Sequence, residues 1–271
     1  MRPVVHALCD DRVPSRTPGL CHTELAVSPL ATRVAFACAL ATVFALSLGA
    51  RITPAEAGPG YIRGIDVSKW QGDIDWARVA DDGVRFVIAR ATSGQSGVDP
   101  RYAANREGAD AAGLAFTAYH YASPDTTPGD AVAEADLFVD TAQLLGPHLV
   151  PVLDLEVNNG LGPKRLRAWA RAWLERVEQR LGVRATIYTT RFFWRDRMGN
   201  SQWFAQNGHR LWIANWNDVN QPALPAAGWS GQGWTLWQHS STGRVAGIDG
   251  PVDLDRYAGN DLGALTINNN Q

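Results

Sequence analysis

An α/β barrel is the fold class that this sequence predicts, and three observations carry it. From Tyr61 onward, strand-like apolar runs alternate five times with helix-like stretches, the pattern of right-handed βαβ units around a parallel sheet. The strand cores are continuous apolar runs, as in Phe86-Val87-Ile88-Ala89 and Leu211-Trp212-Ile213-Ala214, which suits strands covered on both faces. Beyond about residue 190 the alternation degrades, with Trp, Gly, Pro and Asn clustered between 199 and 234. The last third is therefore expected to be nearly all strand and loop.

The N-terminal stretch reads differently. Residues 34–50 carry no charge, which is long for the hydrophobic region of a signal peptide (~7–15 residues) and short for a membrane helix (~20 residues). Ala55-Glu56-Ala57 is an A-x-A cleavage pattern, and Gly58-Pro59-Gly60 is a turn-rich spacer. The expectation is an export signal over residues 1–57, with an unusually long n-region and cleavage after Ala57, leaving a secreted or periplasmic protein. An uncleaved anchor is the alternative, and membrane contact is expected only through this segment. All three Cys, at 9, 21 and 38, fall inside it. Residues 58–271 thus have no thiol for a disulfide, a zinc site or a nucleophile. They read as one domain, with a core at about 61–258.

Within that domain the candidate strands are 61–67, 85–91, 115–121, 149–155, 185–189, 211–216 and 235–239. Helices are expected around 74–82, 101–112, 130–145 and 164–181. The last is the clearest, because Leu166, Trp169, Trp173, Leu174, Val177 and Leu181 recur at spacings of three and four. Gly182 supplies its stop.

Composition excludes several functions. With 25 basic and 27 acidic side chains the net charge is −2, without the basic excess of a nucleic-acid binder. With 45% apolar and 19% charged residues, the chain is not a disordered acidic tail. The six His show no H-E-x-x-H spacing, there is no G-x-S-x-G elbow, and no Gly-rich phosphate loop is visible. No metal and no cofactor are expected.

In a parallel barrel, functional groups collect where strands end. Asp154 and Glu156 close an apolar run two residues apart, so both leave the strand on one face, with α-carbons roughly 6.6 Å apart. Repulsion and desolvation then raise the pKa of one of them, which makes a general acid at neutral pH. The bland reading is a strand end whose acids face water or an Arg. Asp66 closes another strand ahead of Trp70-Gln71-Gly72, where it could instead cap the following turn. Asp253 and Asp255 repeat the two-residue spacing behind a Gly-rich stretch. With Asp249 they could bind calcium, although the interval lacks the ligand density of an EF-hand loop.

The aromatics suggest the substrate class. Trp70, Trp194, Trp203, Trp212, Trp216, Trp229, Trp234 and Trp237 fall in or beside loops and strand ends, while Trp169 and Trp173 belong to a helix core. Exposed Trp rings beside paired carboxylates on an exported chain point to carboxylate chemistry on a sugar, with about half of these rings expected to be simply core.

These segments occur together and in order: Gly64-Ile65-Asp66-Val67-Ser68-Lys69-Trp70-Gln71-Gly72, Arg85 to Thr92, Tyr119-His120-Tyr121, Leu153-Asp154-Leu155-Glu156, Ile187-Tyr188-Thr189, Leu211 to Ala214, and Trp237-Gln238-His239-Ser240-Ser241 with Gly247 to Asp255. The chain so read resembles the family-25 glycoside hydrolases, the Chalaropsis-type muramidases or lysozymes, over about 61–258. The resemblance implies a modified TIM-like barrel, about five β/α units followed by three strands with few helices. It implies cleavage of the β-1,4 bond between N-acetylmuramic acid and N-acetylglucosamine by a monomer acting on a peptidoglycan glycan strand. It makes Glu156 the general acid and Asp154 its partner at the reacting sugar, with Asp66 and Asp253 completing an acidic cleft lined by Tyr188. Trp70, Tyr121, Trp216, Trp237, His239 and Arg90 are the further candidate substrate contacts. Retaining, inverting and acetamido-assisted routes all remain open on spacing, the last being favoured. The alternatives are a non-catalytic glycan-binding barrel, or the same chemistry on another N-acetylated polysaccharide. Three positions depart from the usual pattern: His239 and Trp216 replace Tyr, and Asp255 replaces Asn. A His at 239 in the cleft would make activity fall as it titrates near pH ~6.5.

Overall fold

The computed structural model describes residues 60–270 other than Asp218. The expected export signal and cleavage point, and the three Cys, lie outside the described residues.

Eight strands close the expected barrel. β1 (Ile62–Val67), β2 (Phe86–Ser93), β4 (Ala115–Tyr121), β5 (Val152–Asp154), β6 (Thr186–Thr190), β7 (Leu211–Ala214) and β8 (Leu236–Gly243) run parallel to their neighbours in turn. β9 (Val252–Tyr257) fits antiparallel between β8 and β1 and completes the ring. A two-residue strand, β3 (Gly97–Val98), folds back on β2 outside it. The predicted strands survive with ends shifted by a few residues. The 149–155 run is trimmed most, since Pro151 has no N–H to give a ladder.

The helices α1 (Trp76–Asp81), α2 (Tyr102–Ala111), α3 (Asp130–Ala142) and α4 (Pro163–Leu181) stand where periodicity places them. In α4, Leu166, Trp169, Ala170, Trp173, Leu174 and Val177 are buried, and the left-handed Gly182 ends the helix by donating its N–H to Glu178. Three short pieces were not anticipated: α5 (Arg191–Arg197), α6 (Trp203–Gln206) and α7 (Ala226–Ser230). The last is a left-handed turn, with φ of 50° at Ala227 and 54° at Trp229. A conformation this unfavourable for residues bearing a Cβ needs outside support. The buried Trp229 supplies it, donating its indole N–H to His209 O at 2.7 Å and packing edge-on against Trp194.

Strand alternation sorts the core into two shells. Outward residues such as Val87, Ala89, Phe116, Ile187 and Trp237 pack under the helices. Inward residues Phe86, Ile88, Leu149, Val152, Leu236 and Tyr257 fill one end of the barrel. The inward set at the other end is polar, and the site lies there.

Filling a closed barrel leaves no slack. Gly64 sits beside Phe86 in register, and a Cβ there would fall 2.2 Å from the fully buried Phe86 ring. Gly64→Ala should cost about 1–3 kcal/mol through overpacking. Urea unfolding checks this: the midpoint should fall at unchanged m-value, and an unmoved midpoint contradicts it.

Candidate active site

The C-terminal strand ends enclose an open cleft of about 270 Å³. Asp66 enters from β1, Arg90 from β2, Tyr119 and Tyr121 from β4, Asp154 and Glu156 from the end of β5, and Tyr188 from β6. Gln238 on β8 and Asp253 on β9 face them. Each follows from the two-residue period: Arg90 repeats the inward direction of Phe86 and Ile88, and Tyr188 that of Thr186.

Two aromatic rings stand at the mouth. Trp70 is 76% exposed and Trp216 is 55% exposed. Trp70 rides on a short 3₁₀ turn (Lys69–Gln71) fixed by a capping box, in which Ser68 Oγ accepts the Trp70 N–H and Gln71 Oε1 accepts the Ser68 N–H. Ser68 therefore caps this turn, leaving Asp66 free for the cleft. Trp216 donates its indole N–H to Gln238 Oε1 at 2.8 Å.

The carboxyls differ in depth. Asp154 is 7% exposed and Asp66 6%, whereas Glu156 and Asp253 are only partly buried. Burial raises Asp154 well above the carboxylate range, the neighbouring Glu156 adds to this, and Arg90 opposes it. Burial raises Glu156 too, against a hydrogen bond from Tyr121 that lowers it and the Asp253 charge that raises it. Asp253 is pushed up to about 6 by burial. Arg90 is the one cation lining the cleft, and Asp99 holds it at 2.8 Å.

Nine of the eleven predicted site residues thus come together, and two do not. Trp237 and His239 alternate with Gln238 and so point out of the barrel. Trp237 is buried among outer-shell residues and donates its indole N–H to Asn215 O at 2.9 Å. His239 packs against Trp237, and burial, with Arg256 and Arg63 nearby, lowers it to about 4. It is neutral across the range where it was expected to titrate, because its imidazolium would leave water beside two guanidinium groups. The expected abundance of Trp platforms also narrows, since Trp194, Trp212, Trp229 and Trp237 are buried.

Sequence reasoning missed Gln238, which binds three neighbours. Its Nε2 donates to Asp66 Oδ2 at 2.7 Å, and its Oε1 accepts from Tyr188 O–H at 2.9 Å and from Trp216. Its signal was the inward period of β8, hidden because the neighbouring His239 drew the attention. Tyr119 was missed as a lining residue because it reads as ordinary strand core, and Trp212, counted among the strand-end aromatics, lines the cleft from a buried position.

A larger hollow of about 410 Å³ lies outside the barrel near α3 and α4. Its acid, Asp130, is already bonded by Trp169 Nε1, Gln95 Nε2 and the Asp125 N–H, which makes it a structural corner. Among the described residues no His, Cys, Asp and Glu cluster is arranged to hold a metal ion.

Carboxyls that burial shifts toward their protonated forms, at the end of a barrel beneath exposed aromatic rings, suit the chemistry of a glycoside hydrolase. The family model Glycosyl hydrolases family 25 matches residues 65–248, and the chain belongs to that family. Lysozyme M1 of Streptomyces globisporus is 34% identical over 218 residues, 77% of this chain and 72% of its own length. The N,O-diacetylmuramidase of Chalaropsis sp. is 32% identical over 208 residues, 71% of this chain and 96% of its own. In three dimensions, the bacterial lysozyme from Streptomyces coelicolor matches with a TM-score of 0.72 at 34% identity, over 78% of this chain and all of that one.

His239→Tyr should therefore leave the pH–rate profile between about pH 5 and 8 in place. A shifted limb in that range would return His239 to the cleft.

Proposed function

We propose that this chain is an exported peptidoglycan hydrolase that cleaves the β-1,4 bond between N-acetylmuramic acid and N-acetylglucosamine, with Glu156 as general acid. The observation that carries the reading is the unequal setting of two carboxyls at one strand end. Glu156 is open enough to reach a glycosidic oxygen, yet burial favours its protonated form, and Tyr121 orients it. Asp154 lies deeper, and its Oδ1 is sealed from solvent without a partner in the protein. Asp154 also lines the cleft, where its carboxyl can accept a donor brought by the substrate, such as the N–H of a 2-acetamido group.

In the substrate-assisted route the acetamido oxygen attacks the anomeric carbon while the glycosidic C–O bond breaks. The leaving oxygen takes the Glu156 proton, and a ring carrying positive charge forms next to Asp154. Water then attacks the anomeric carbon, gives its proton back to Glu156 and restores the acetamido group. Trp70 and Trp216 offer stacking faces for the sugars on either side. The names lysozyme and N,O-diacetylmuramidase among the relatives support peptidoglycan as the substrate. Export rests on the apolar stretch at 34–50 and the Ala55-Glu56-Ala57 pattern.

Glu156→Gln keeps the shape and removes the proton. Clearing of purified bacterial wall should fall by about 10²–10⁴-fold. The wild-type products should end in reducing muramic acid by mass analysis. Glucosamine ends would redirect the specificity, and undiminished clearing by the variant would sink the role of Glu156. Because the Glu156 pKa is raised, the acid form persists to higher pH than in a free Glu, and activity should decline as pH rises through that value.

A further inference from the structure

Asp255 is the most deeply buried carboxyl of this end of the barrel, 1% exposed, and the reaction above gives it no work. It stands on β9 directly across from Gln238 on β8. The β1–β9 register pairs Gly64 with Asp255 and Asp66 with Asp253, so Asp255 is the diagonal, same-face neighbour of Asp66. Its Oδ1 accepts the indole N–H of Trp212 at 2.8 Å. Its Oδ2 is sealed from solvent and meets no hydrogen-bond donor, and the carboxyl of Asp255 lies within interaction range of that of Asp66. On its other side, Asp66 Oδ2 accepts from Gln238 Nε2.

Two carboxyls thus lie within interaction range, both more than nine-tenths buried, with one neutral N–H donor each. Two acceptor-only oxygens cannot satisfy each other, whereas one proton between them satisfies both. The surroundings favour keeping that proton. Asp253 on β9, Asp154 and Glu156 at the end of β5, Tyr119 on β4 and Tyr188 on β6 are all acids. Arg90 on β2 is the one facing cation, and it is committed to Asp99.

We propose that Asp255 is a positioning residue of this hydrolase, sharing one proton with Asp66 so that the pair carries a single negative charge and Asp66 stays fixed as the anchor of the Gln238 amide. The inference rests on the hydrolase reading for its consequence, though not for the shared proton itself. Once Gln238 Nε2 is held by Asp66, only its Oε1 remains to face Tyr188 and Trp216. A continuous chain of hydrogen bonds then runs from Trp212 through Asp255, Asp66 and Gln238 to Trp216 at the cleft mouth. Burial first, and then the Asp253 charge, push Asp255 up to about 8, against the hydrogen bonds of Trp212 and Asp66. Burial and the charges of Asp255 and Asp253 raise Asp66 as well. A raised carboxyl pKa means that the folded chain holds a proton that the unfolded chain has released. The arrangement is therefore favoured at lower pH and lost as pH rises through about 8. Above that, two neighbouring charges would drive the carboxyls apart and free the amide.

The test is carboxyl-carbon NMR of the full chain labelled at aspartate, wild type against Asp255→Asn, beside an assay of wall clearing. In the wild type, the two signals assigned through Asp66→Asn and Asp255→Asn should titrate together near pH 8. In Asp255→Asn, the new amide donates to Asp66, whose carbon should titrate alone and at lower pH than the pair does in the wild type. Two ionised signals between about pH 5 and 7 in the wild type would overturn the proposal, as would an Asp66 signal that still titrates near pH 8 in Asp255→Asn. Should that variant not fold, Asp66→Asn reads the pair from the other side, and Asp255 should then ionise alone at lower pH. A still-shared titration there would also overturn the proposal. The NMR needs no substrate. A wild type that clears no wall but shows the coupled titration would end the hydrolase reading while leaving the proton pair in place.

Discussion

Carboxyl groups that leave water without meeting a cation are pushed toward their protonated forms, and the open end of this barrel depends on that rule. Two unit charges about 4 Å apart repel by on the order of 4 kcal/mol at an effective dielectric constant of 20. A single neutral hydrogen bond returns about 1 kcal/mol. The donors aimed at the buried acids are neutral ones, the Gln238 amide, the Trp212 indole and the Tyr121 hydroxyl. They orient the carboxyls without supporting full ionisation of all of them. On the proposed mechanism, acid catalysis at neutral pH would follow from this shortage of positive charge, with no special property needed in any one residue.

The fold creates the shortage by alternation. A closed barrel has one inward-facing set, and every second residue of eight strands must belong to it. At one end that set is Phe86, Leu149, Val152, Leu236 and Tyr257, apolar but for the Tyr257 hydroxyl, which donates to Asp261 O. Toward the other end of the same strands, four residues on for Arg90, two for Asp154 and Gln238, and two back along the antiparallel β9 for Asp255, the inward set becomes polar. The apolar end holds the strands rigid, so the acids above it cannot relax outward to water. Burial of the site is thus inherited from the core beneath it. His120 shows the same economy from outside. Alternating with Tyr119 and Tyr121, it turns outward, bonds Thr92 on β2 and Glu134 on α3 at 2.7 Å each, and stacks on Trp173 of α4. That buried polar contact locks the end of the strand that presents both tyrosines to the cleft.

Much of this was legible in the sequence because parallel strands covered on both faces leave a one-dimensional trace, an apolar run with a polar stop. β2, β4, β6 and β7 were found that way, and the stops Asp66, Asp154 and Glu156 were found with them. β9 left no such trace. Its sequence Val252-Asp253-Leu254-Asp255-Arg256-Tyr257 places charge on the inward face, the reverse of the usual in–out pattern, because this strand borders the polar end on both sides. Gln238 was invisible for a related reason: its importance lies in three partners on β1, β6 and the loop after β7, and no local spacing encodes that meeting. His239 and Trp237 were misplaced by reading a strand end as though all its residues faced the cleft. One residue of register decides between a cleft wall and an outer shell.

Arg90 is the apparent exception, a guanidinium in a cleft whose chemistry needs protons held. Left alone, it would stabilise the ionised form of Asp154 and work against Glu156 as well. Its charge is not left alone. Asp99, itself buried, meets both Arg90 Nε and the guanidinium terminus at 2.8 Å, and is in turn held by the backbone N–H groups of Lys69 and Arg101. The N–H of Asp99 is fixed to Ala91 O, so the counter-ion is built into the β2–β3 corner. Arg90 therefore lowers Asp154 less than burial and Glu156 raise it. Its planar side chain serves as a wall of fixed shape with little net field. The Lys69 N–H bond extends the same corner to the 3₁₀ turn that carries Trp70. One buried aspartate thus cancels a charge that would spoil the acid and steadies the platform on which a sugar would stack.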